Sequence, residues 1–280
     1  MDGIKLNDGY VIPRIGLGTF RISPADAEKG VEYALRNGYC MIDTANVYMN
    51  EEAVGRGIKS SGKPREEFFL TSKIFPNSFK HFEKAVDETL ERLGVEYLDL
   101  LLLHRPYGNW KKAYQDLVAA QKAGKVRSVG VSNFSLKQLQ EIIQLTGVTP
   151  VLNQVECNPY CARVELQQEM AKLGIITQSW FPFGGGDSKL LSEEVLVNIA
   201  KAHNASVQQV ILSYLMKRDI VVIPGSRNPA HIQSNFESQN LVLADEEMEQ
   251  ITKLSKGEGH NEFLGSFFYR FLPTNYYEKK

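Results

Sequence analysis

Leu98-Asp99-Leu100-Leu101-Leu102-Leu103-His104 is the stretch on which the fold turns. A strand with one wet face alternates apolar and polar residues. A strand covered on both faces reads as a continuous apolar run, the habit of parallel sheets packed between helices. Leu98 to Leu103 reads the second way, and so does Ile220-Val221-Val222-Ile223. The run carries Asp99 and is far shorter than the ~18 apolar residues of a membrane span.

Working outward from it, eight strand candidates appear: 15–17, 40–43, 68–73, 98–104, 126–132, 152–156, 175–179 and 220–223. Each gap between them carries a helical pattern. The first helix is expected over 25–36, with Ser23 as N-cap, Pro24 at the first helical position and Asn37-Gly38 as the stop. Others are expected over 51–60, 82–93, 110–123, 136–145 and 164–173, and 192–217 reads as two helices broken near Asn204. Asn7-Asp8-Gly9 between two short apolar runs signals a hairpin ahead of the first unit. Eight βα units predict an α/β fold of the closed (β/α)8 TIM-barrel kind. A doubly wound open sheet would carry G-x-G-x-x-G in its first turn. Gly16-Leu17-Gly18 starts that motif, but position 21 is Arg and it fails. No linker interrupts the pattern, so residues 1–280 are expected to form one domain, with an extra aromatic segment from Gly257 onward packed over one end.

The 280 residues are 43% hydrophobic and 23% charged, with net charge -1. That balance offers nothing to attract nucleic acid or an anionic membrane. The start, Met1-Asp2-Gly3-Ile4-Lys5, lacks the apolar core of a signal peptide, so a cytoplasmic location is expected. Three cysteines, Cys40, Cys157 and Cys161, are too few and too scattered for a disulfide framework or a zinc cluster. Cys157 and Cys161 have the spacing to share a helical face, but two ligands make no metal site, and none is expected.

The chemistry lies where the strands end. The second ends in Asp43, the third in Lys73, the fourth in His104 and the fifth in Ser132-Asn133. The sixth carries Gln154, and the seventh runs into Trp180. In a β/α barrel all these ends open on one face. Each residue alone has an ordinary structural explanation: a helix cap, a solvated strand end, a core histidine. Five polar residues at corresponding strand ends are harder to explain so, because each is costly to bury without a partner. Asp43 and Lys73, on adjacent strands, are expected to pair. Tyr48, five residues past Asp43, would then lie near an ammonium that lowers its pKa from about 10 and fits it for general acid work.

These residues fall within segments that resemble the aldo-keto reductase family. Asp43-Thr44-Ala45-Asn46-Val47-Tyr48-Met49-Asn50-Glu51 is similar to the family's D-T-A-x-x-Y-x-N-E. In order follow likenesses at Gly16-Leu17-Gly18-Thr19-Phe20, Leu70-Thr71-Ser72-Lys73, Leu101-Leu102-Leu103-His104-Arg105-Pro106, the segment 124–134 and Asn153-Gln154-Val155-Glu156-Cys157-Asn158-Pro159. The resemblance spans residues 4 to about 255. It implies a monomeric carbonyl reductase with a catalytic tetrad of Asp43, Tyr48, Lys73 and His104. Tyr48 would protonate the carbonyl oxygen as hydride arrives from a nicotinamide, and His104 would orient the carbonyl. It further implies a cofactor site built from Gly18, Thr19, Phe20, Ser132, Asn133, Gln154, Trp180, Phe181, Ser226, Arg227, Asn228, His231 and Asn235. An apolar substrate pocket of Phe20, Val47, Phe75, Tyr107 and Trp110 completes the expectation.

The chain departs from the family at Ile223-Pro224-Gly225-Ser226-Arg227-Asn228-Pro229-Ala230-His231. The family's I-P-K-S-x-x-x-x-R segment holds the 2'-phosphate of NADP(H); Gly225 and His231 stand where it has lysine and arginine. NADP(H) is the expected cofactor, with Arg227 a new cation close by, and the two lost charges at Gly225 and His231 leave room for NAD(H) use as well. The loop from His104 to Trp110 is short, as in bacterial and lower-eukaryotic members, which implies an open pocket and a broad range of small carbonyl substrates. Two other functions fit the same fold: a cofactor-binding regulatory protein with little turnover, and an aldolase using Lys73 in a Schiff base. An intact tetrad and the lack of a large docking insert weigh against the first. A lysine kept protonated by Asp43 weighs against the second. No obligate protein partner is expected.

Overall fold

The computed structural model describes residues 3–257. Strands β1 (Gly3–Lys5) and β2 (Val11–Pro13) form an antiparallel hairpin. Eight parallel strands follow in chain order: β3 (Leu17–Gly18), β4 (Met41–Asp43), β5 (Phe69–Ile74), β6 (Leu98–Leu103), β7 (Val126–Ser132), β8 (Leu152–Glu156), β9 (Ile176–Trp180) and β10 (Val221–Val222). Each pairs with the next. The cylinder closes through a parallel bridge from Ile15 to Val222 and the bond from Gly18 N to Pro224 O at 3.2 Å. This is the (β/α)8 fold.

Strand alternation sorts the side chains. Met41, Phe69, Leu100, Leu102, Leu152 and Val221 fill the barrel interior, where Leu6 and Ile12 of the hairpin join them from below. Ile42, Leu70, Leu101, Leu103 and Val222 face outward to the helices. Because side chains repeat every two residues, Asp43 follows Met41 inward, Lys73 follows Phe69, His104 follows Leu102, and Gln154 follows Leu152. Each inward row is apolar below and polar at the carboxyl end. That switch builds the site.

The helices start and stop where their caps say. Helix α1 (Pro24–Arg36) has Ser23 accepting from Asp26 N. Then come α2 (Glu51–Ser61), α3 (Phe82–Leu93), α4 (Trp110–Lys122), α5 (Leu136–Thr146), α6 (Val164–Lys172), α7 (Ser188–Leu191), α8 (Glu194–Ala202) and α9 (Val207–Lys217). Asn204, at φ 52°, separates the last two, at the expected break. Helices α10 (Pro229–Glu237) and α11 (Asp245–Thr252) complete the ring.

Some expectations shift. The two strands at the seam are two residues each, shorter than the apolar runs 15–17 and 220–223, because closure there rests on single bridges. Cys157 and Cys161 occupy no helix. They flank a tight turn, bridged from Asn158 to Cys161, between β8 and α6. The aromatic tail beyond Gly257 lies outside the described residues. No described helix is long and apolar enough to cross a membrane.

Helices α1 and α2 touch through Gly57, where an added Cβ would lie 2.5 Å from Glu28 O. Helix propensity alone makes Gly57→Ala favourable by roughly 1 kcal/mol. Overpacking against a backbone oxygen outweighs it, and the expected net loss is about 1–3 kcal/mol. Urea unfolding measures the sign: a midpoint equal to or above that of the natural chain would show that α1 and α2 are not in rigid contact there.

Candidate active site

The inward row of polar side chains meets at the carboxyl face. Lys73 is fully buried on β5. Its ammonium donates to Asp43 Oδ1, to Thr44 O at 2.8 Å and to Tyr48 Oη at 3.3 Å. Asp43 Oδ2 accepts from Gln154 Nε2 at 2.9 Å, and the other Gln154 hydrogen goes to Gln178 Oε1 at 2.8 Å. Tyr48 arrives on a 3-10 helical turn, Asn46–Tyr48, directly after β4. Its ring packs edge-on to His104 with centroids 5.7 Å apart and against Phe20 at 5.0 Å. Asp43, Tyr48, Lys73 and His104 are thus brought together.

Burial sets the ionisation here. His104 is held well below 6.5 by desolvation, then by the charges of Lys73 and Arg105. Tyr48 is pushed well above 10, first by burial and then by the Asp43 carboxylate, with Arg105 pulling the other way. This reverses the expected lowering by Lys73. The ammonium is already spent on Asp43, so desolvation of the phenolate wins. Burial likewise raises Asp43, opposed by Lys73.

A cavity of about 340 Å³ opens over Tyr48 and His104. Gly18, Phe20, Ser132, Asn133, Gln154, Trp180 and Phe181 line it. Asn133, at φ 64°, donates to Ser132 Oγ at 2.8 Å and accepts from Trp180 Nε1 at 2.9 Å. A second cavity of about 270 Å³ sits at the start of α10, lined by Ser226, His231 and Asn235 among others. Phe183 and Gly225 line both, so the two cavities adjoin. An amide-rich end beside an aromatic wall, joined to an end with hydroxyls, an imidazole and a helix N-terminus, fits a dinucleotide: one end for a carboxamide ring, the other for phosphate.

Other expected site residues fall elsewhere. Thr19 is buried beneath the cleft, its hydroxyl bonded to Thr44 Oγ1 at 2.9 Å. Asn228 caps α10, and Arg227 is exposed; neither lines these two cavities. Of the substrate set, Phe20 lines the first cavity and Phe75 meets the His104 ring edge-on at 5.5 Å. Trp110 packs on Phe134, Val47 lines a separate groove beside Met49, and Tyr107 is 47% exposed. Phe20, Trp180, Phe181 and Phe183 are the aromatic residues that line the cavity beside Tyr48.

Sequence reasoning passed over three contributors. Asn50 donates to Thr19 O at 2.9 Å and Ile22 O at 3.1 Å, and accepts from Thr44 Oγ1 at 3.2 Å, tying the loop after β3 to the loop carrying Tyr48. Gln178 follows Ile176 inward by the same two-residue rule as Gln154. Arg105 directly follows His104 and lines the first cavity. At Gly225 an added Cβ would lie 2.8 Å from Gly18 O, so a lysine there would press on the seam backbone.

The depressed His104 pKa makes stability depend on pH with a definite sign. The unfolded chain takes up this proton near 6.5 and the folded chain only at lower pH. Unfolding is therefore favoured as pH falls below about 6.5, and the contribution is absent above it. His104→Gln has no such proton. Its urea midpoint is expected to fall less steeply than that of the natural chain between about pH 7.5 and 5. Parallel declines would mean that His104 is not held neutral.

Known proteins share this chain's sequence pattern and fold. A sequence model of the Aldo/keto reductase family matches residues 14–256. Glyoxal reductase of Bacillus subtilis is 40% identical over 262 residues, covering 92% of this chain and 94% of its own. Morphine 6-dehydrogenase of Pseudomonas putida is 39% identical over 270 residues, covering 91% of each. The crystal structure of a Bombyx mori aldo-keto reductase in complex with NADP is 32% identical, with a TM-score of 0.85 over 90% of this chain and 92% of that one. The chain belongs to the aldo/keto reductase family of oxidoreductases.

Proposed function

We propose that this chain reduces aldehyde and ketone carbonyls to alcohols with a dihydronicotinamide cofactor, Tyr48 being the proton donor. The observation that carries the reading is the contact of Tyr48 Oη with Lys73 Nζ at 3.3 Å, at the floor of a cleft with room for a dinucleotide. The cofactor supplies the hydride when bound. The chain supplies the rest. Tyr48 carries its proton throughout the neutral range, because its pKa is raised. It donates that proton to the carbonyl oxygen as negative charge develops there. The Lys73 ammonium stabilises the phenolate left behind. Neutral His104 has one ring N–H to donate, and with Tyr48 it fixes and polarises the carbonyl. Ser132, Asn133 and Trp180 form the wall for the nicotinamide.

The relative named glyoxal reductase, the one named morphine 6-dehydrogenase and the NADP complex of the silkworm protein support a carbonyl–alcohol reaction with a nicotinamide cofactor. NADP(H) is the cofactor we favour. Ser226, His231 and the amides opening α10 would meet the 2'-phosphate, and the missing lysine and arginine leave NAD(H) usable.

Two measurements test the proposal. Tyr48→Phe is expected to lower kcat/KM for a reactive aldehyde by about 100-fold or more, while NADPH still quenches tryptophan fluorescence. Absence of turnover by the natural chain on any aldehyde or ketone, with cofactor binding intact, would move the protein to a regulatory role. His231→Arg restores one charge without straining the seam. Its NADPH-to-NADH ratio of Kd values, read by the same quenching, should shift toward NADPH by about three- to ten-fold. No shift would place the phosphate elsewhere.

A further inference from the structure

We propose that Asn46 is a positioning residue for the reaction: its side chain holds the turn bearing Tyr48 at hydrogen-bonding distance from Lys73. This deepens the reduction reading above and rests on it.

Two side-chain bonds carry the inference, because together they straddle both residues. Asn46 precedes Tyr48, and its Oδ1 accepts from the amide of Phe75, which follows Lys73, at 3.1 Å. Glu51 follows Tyr48, and its Oε1 accepts from Ser72 Oγ, just before Lys73, at 2.6 Å. The segment 46–51 is thus pinned at both ends to the segment 72–75. The contact of Tyr48 Oη with Lys73 Nζ at 3.3 Å is strung between the two pins.

The pins differ in what else they hold. Glu51 is buried and also accepts from Arg92 Nε on α3 at 2.8 Å, so it braces helices as well as the turn. Asn46 is half-buried, and its Nδ2 donates to Ser78 Oγ at 3.4 Å, so both of these bonds run to the segment that continues β5. The Phe75 amide lies just past the end of that strand, and the Asn46 oxygen takes the place of a ladder partner. The ring of Phe75 meets His104 edge-on at 5.5 Å, and His104 N donates to Ile74 O at 3.0 Å. One amide side chain therefore fixes the turn of Tyr48 relative to both the ammonium and the imidazole.

This turn needs holding. Met49, next after Tyr48, sits at φ 59°, in the left-handed region. That conformation is unfavourable for a residue with a Cβ and persists where the surroundings over-determine it. The Met49 side chain is 56% exposed, so its own packing does not impose the conformation. The bonds of Asn46, Asn50 and Glu51 on either side do. A turn released at Asn46 would relax and carry the phenol away from Lys73, and a misplacement of about 1 Å can cost on the order of 100-fold in rate.

The test pairs Asn46→Ala, which removes the bond, with Asn46→Asp, which keeps an acceptor for the Phe75 amide. Hydride transfer is read in a single turnover, by stopped-flow loss of NADPH absorbance on 4-nitrobenzaldehyde, so that slow product release does not mask it. Asn46→Ala is expected to slow that step about ten-fold or more, with the half-saturating aldehyde concentration and the Kd for NADPH within about three-fold of the natural chain's. Asn46→Asp should recover most of the rate. An Asn46→Ala rate within about two-fold of the natural chain's, an Asn46→Asp rate as low as that of Asn46→Ala, or a fall in rate and both affinities together overturns the proposal. Hydrogen exchange gives a readout independent of turnover. The amides of Phe75 and Tyr48 should exchange about three- to ten-fold faster in Asn46→Ala than in the natural chain; unchanged exchange at both also overturns it. If the natural chain reduces no carbonyl and exchange still quickens at both amides, the clamp on Tyr48 stands and the reduction reading falls.

Discussion

Everything at the mouth of this barrel depends on one buried ion pair, Lys73 with Asp43. Taking two charges out of water costs several kcal/mol per ion even after relaxation, roughly repaid only when every remaining polar atom is satisfied. Here the satisfaction is extensive. Lys73 also reaches Thr44 O and Tyr48 Oη, and Asp43 is bonded by Gln154, which is itself bonded to Gln178. Strands β4, β5, β8 and β9 are thereby joined across the barrel interior, where a purely apolar filling would leave Tyr48 with no cation beside it. The pair contributes less as a source of stability than as a fixed frame around which the phenol and imidazole are held.

Much of this was legible beforehand, for a mechanical reason. A two-residue repeat leaves no choice about which strand residues point inward once one of them is known. Leu100 and Leu102 commit His104, and Met41 commits Asp43. Helix ends were equally readable where a hydroxyl cap was present, as at Ser23. Loop side chains obey no such repeat. Val47, Tyr107 and Trp110 sit near the site in sequence but are not among the residues lining the cavity over Tyr48, because a connection's path is set by what it packs on. The ionisation of Tyr48 also escaped, since desolvation depends on the whole surrounding shell and not on one neighbour.

The two cavities show how the family's plan is altered in this chain. Gly225 allows the backbone after β10 to approach Gly18 closely, at the cleft's waist. A side chain at that point would have to lean outward or spread the strands. On the cofactor reading proposed above, the phosphate end would be left to Ser226, His231 and the helix amides.

The junction between β3 and β10 consists of two-residue strands held by a few main-chain bonds. Every other neighbouring pair in the ring shares at least two paired residues, against the single bridge here. A ligand lying along the cleft would touch both margins of this joint at once, acting as a clasp. Nucleotide occupancy would then be coupled to the integrity of the whole cylinder: a molecule recruited for its redox chemistry would also hoop the staves together, and the emptied protein would be the one a protease or a denaturant finds first.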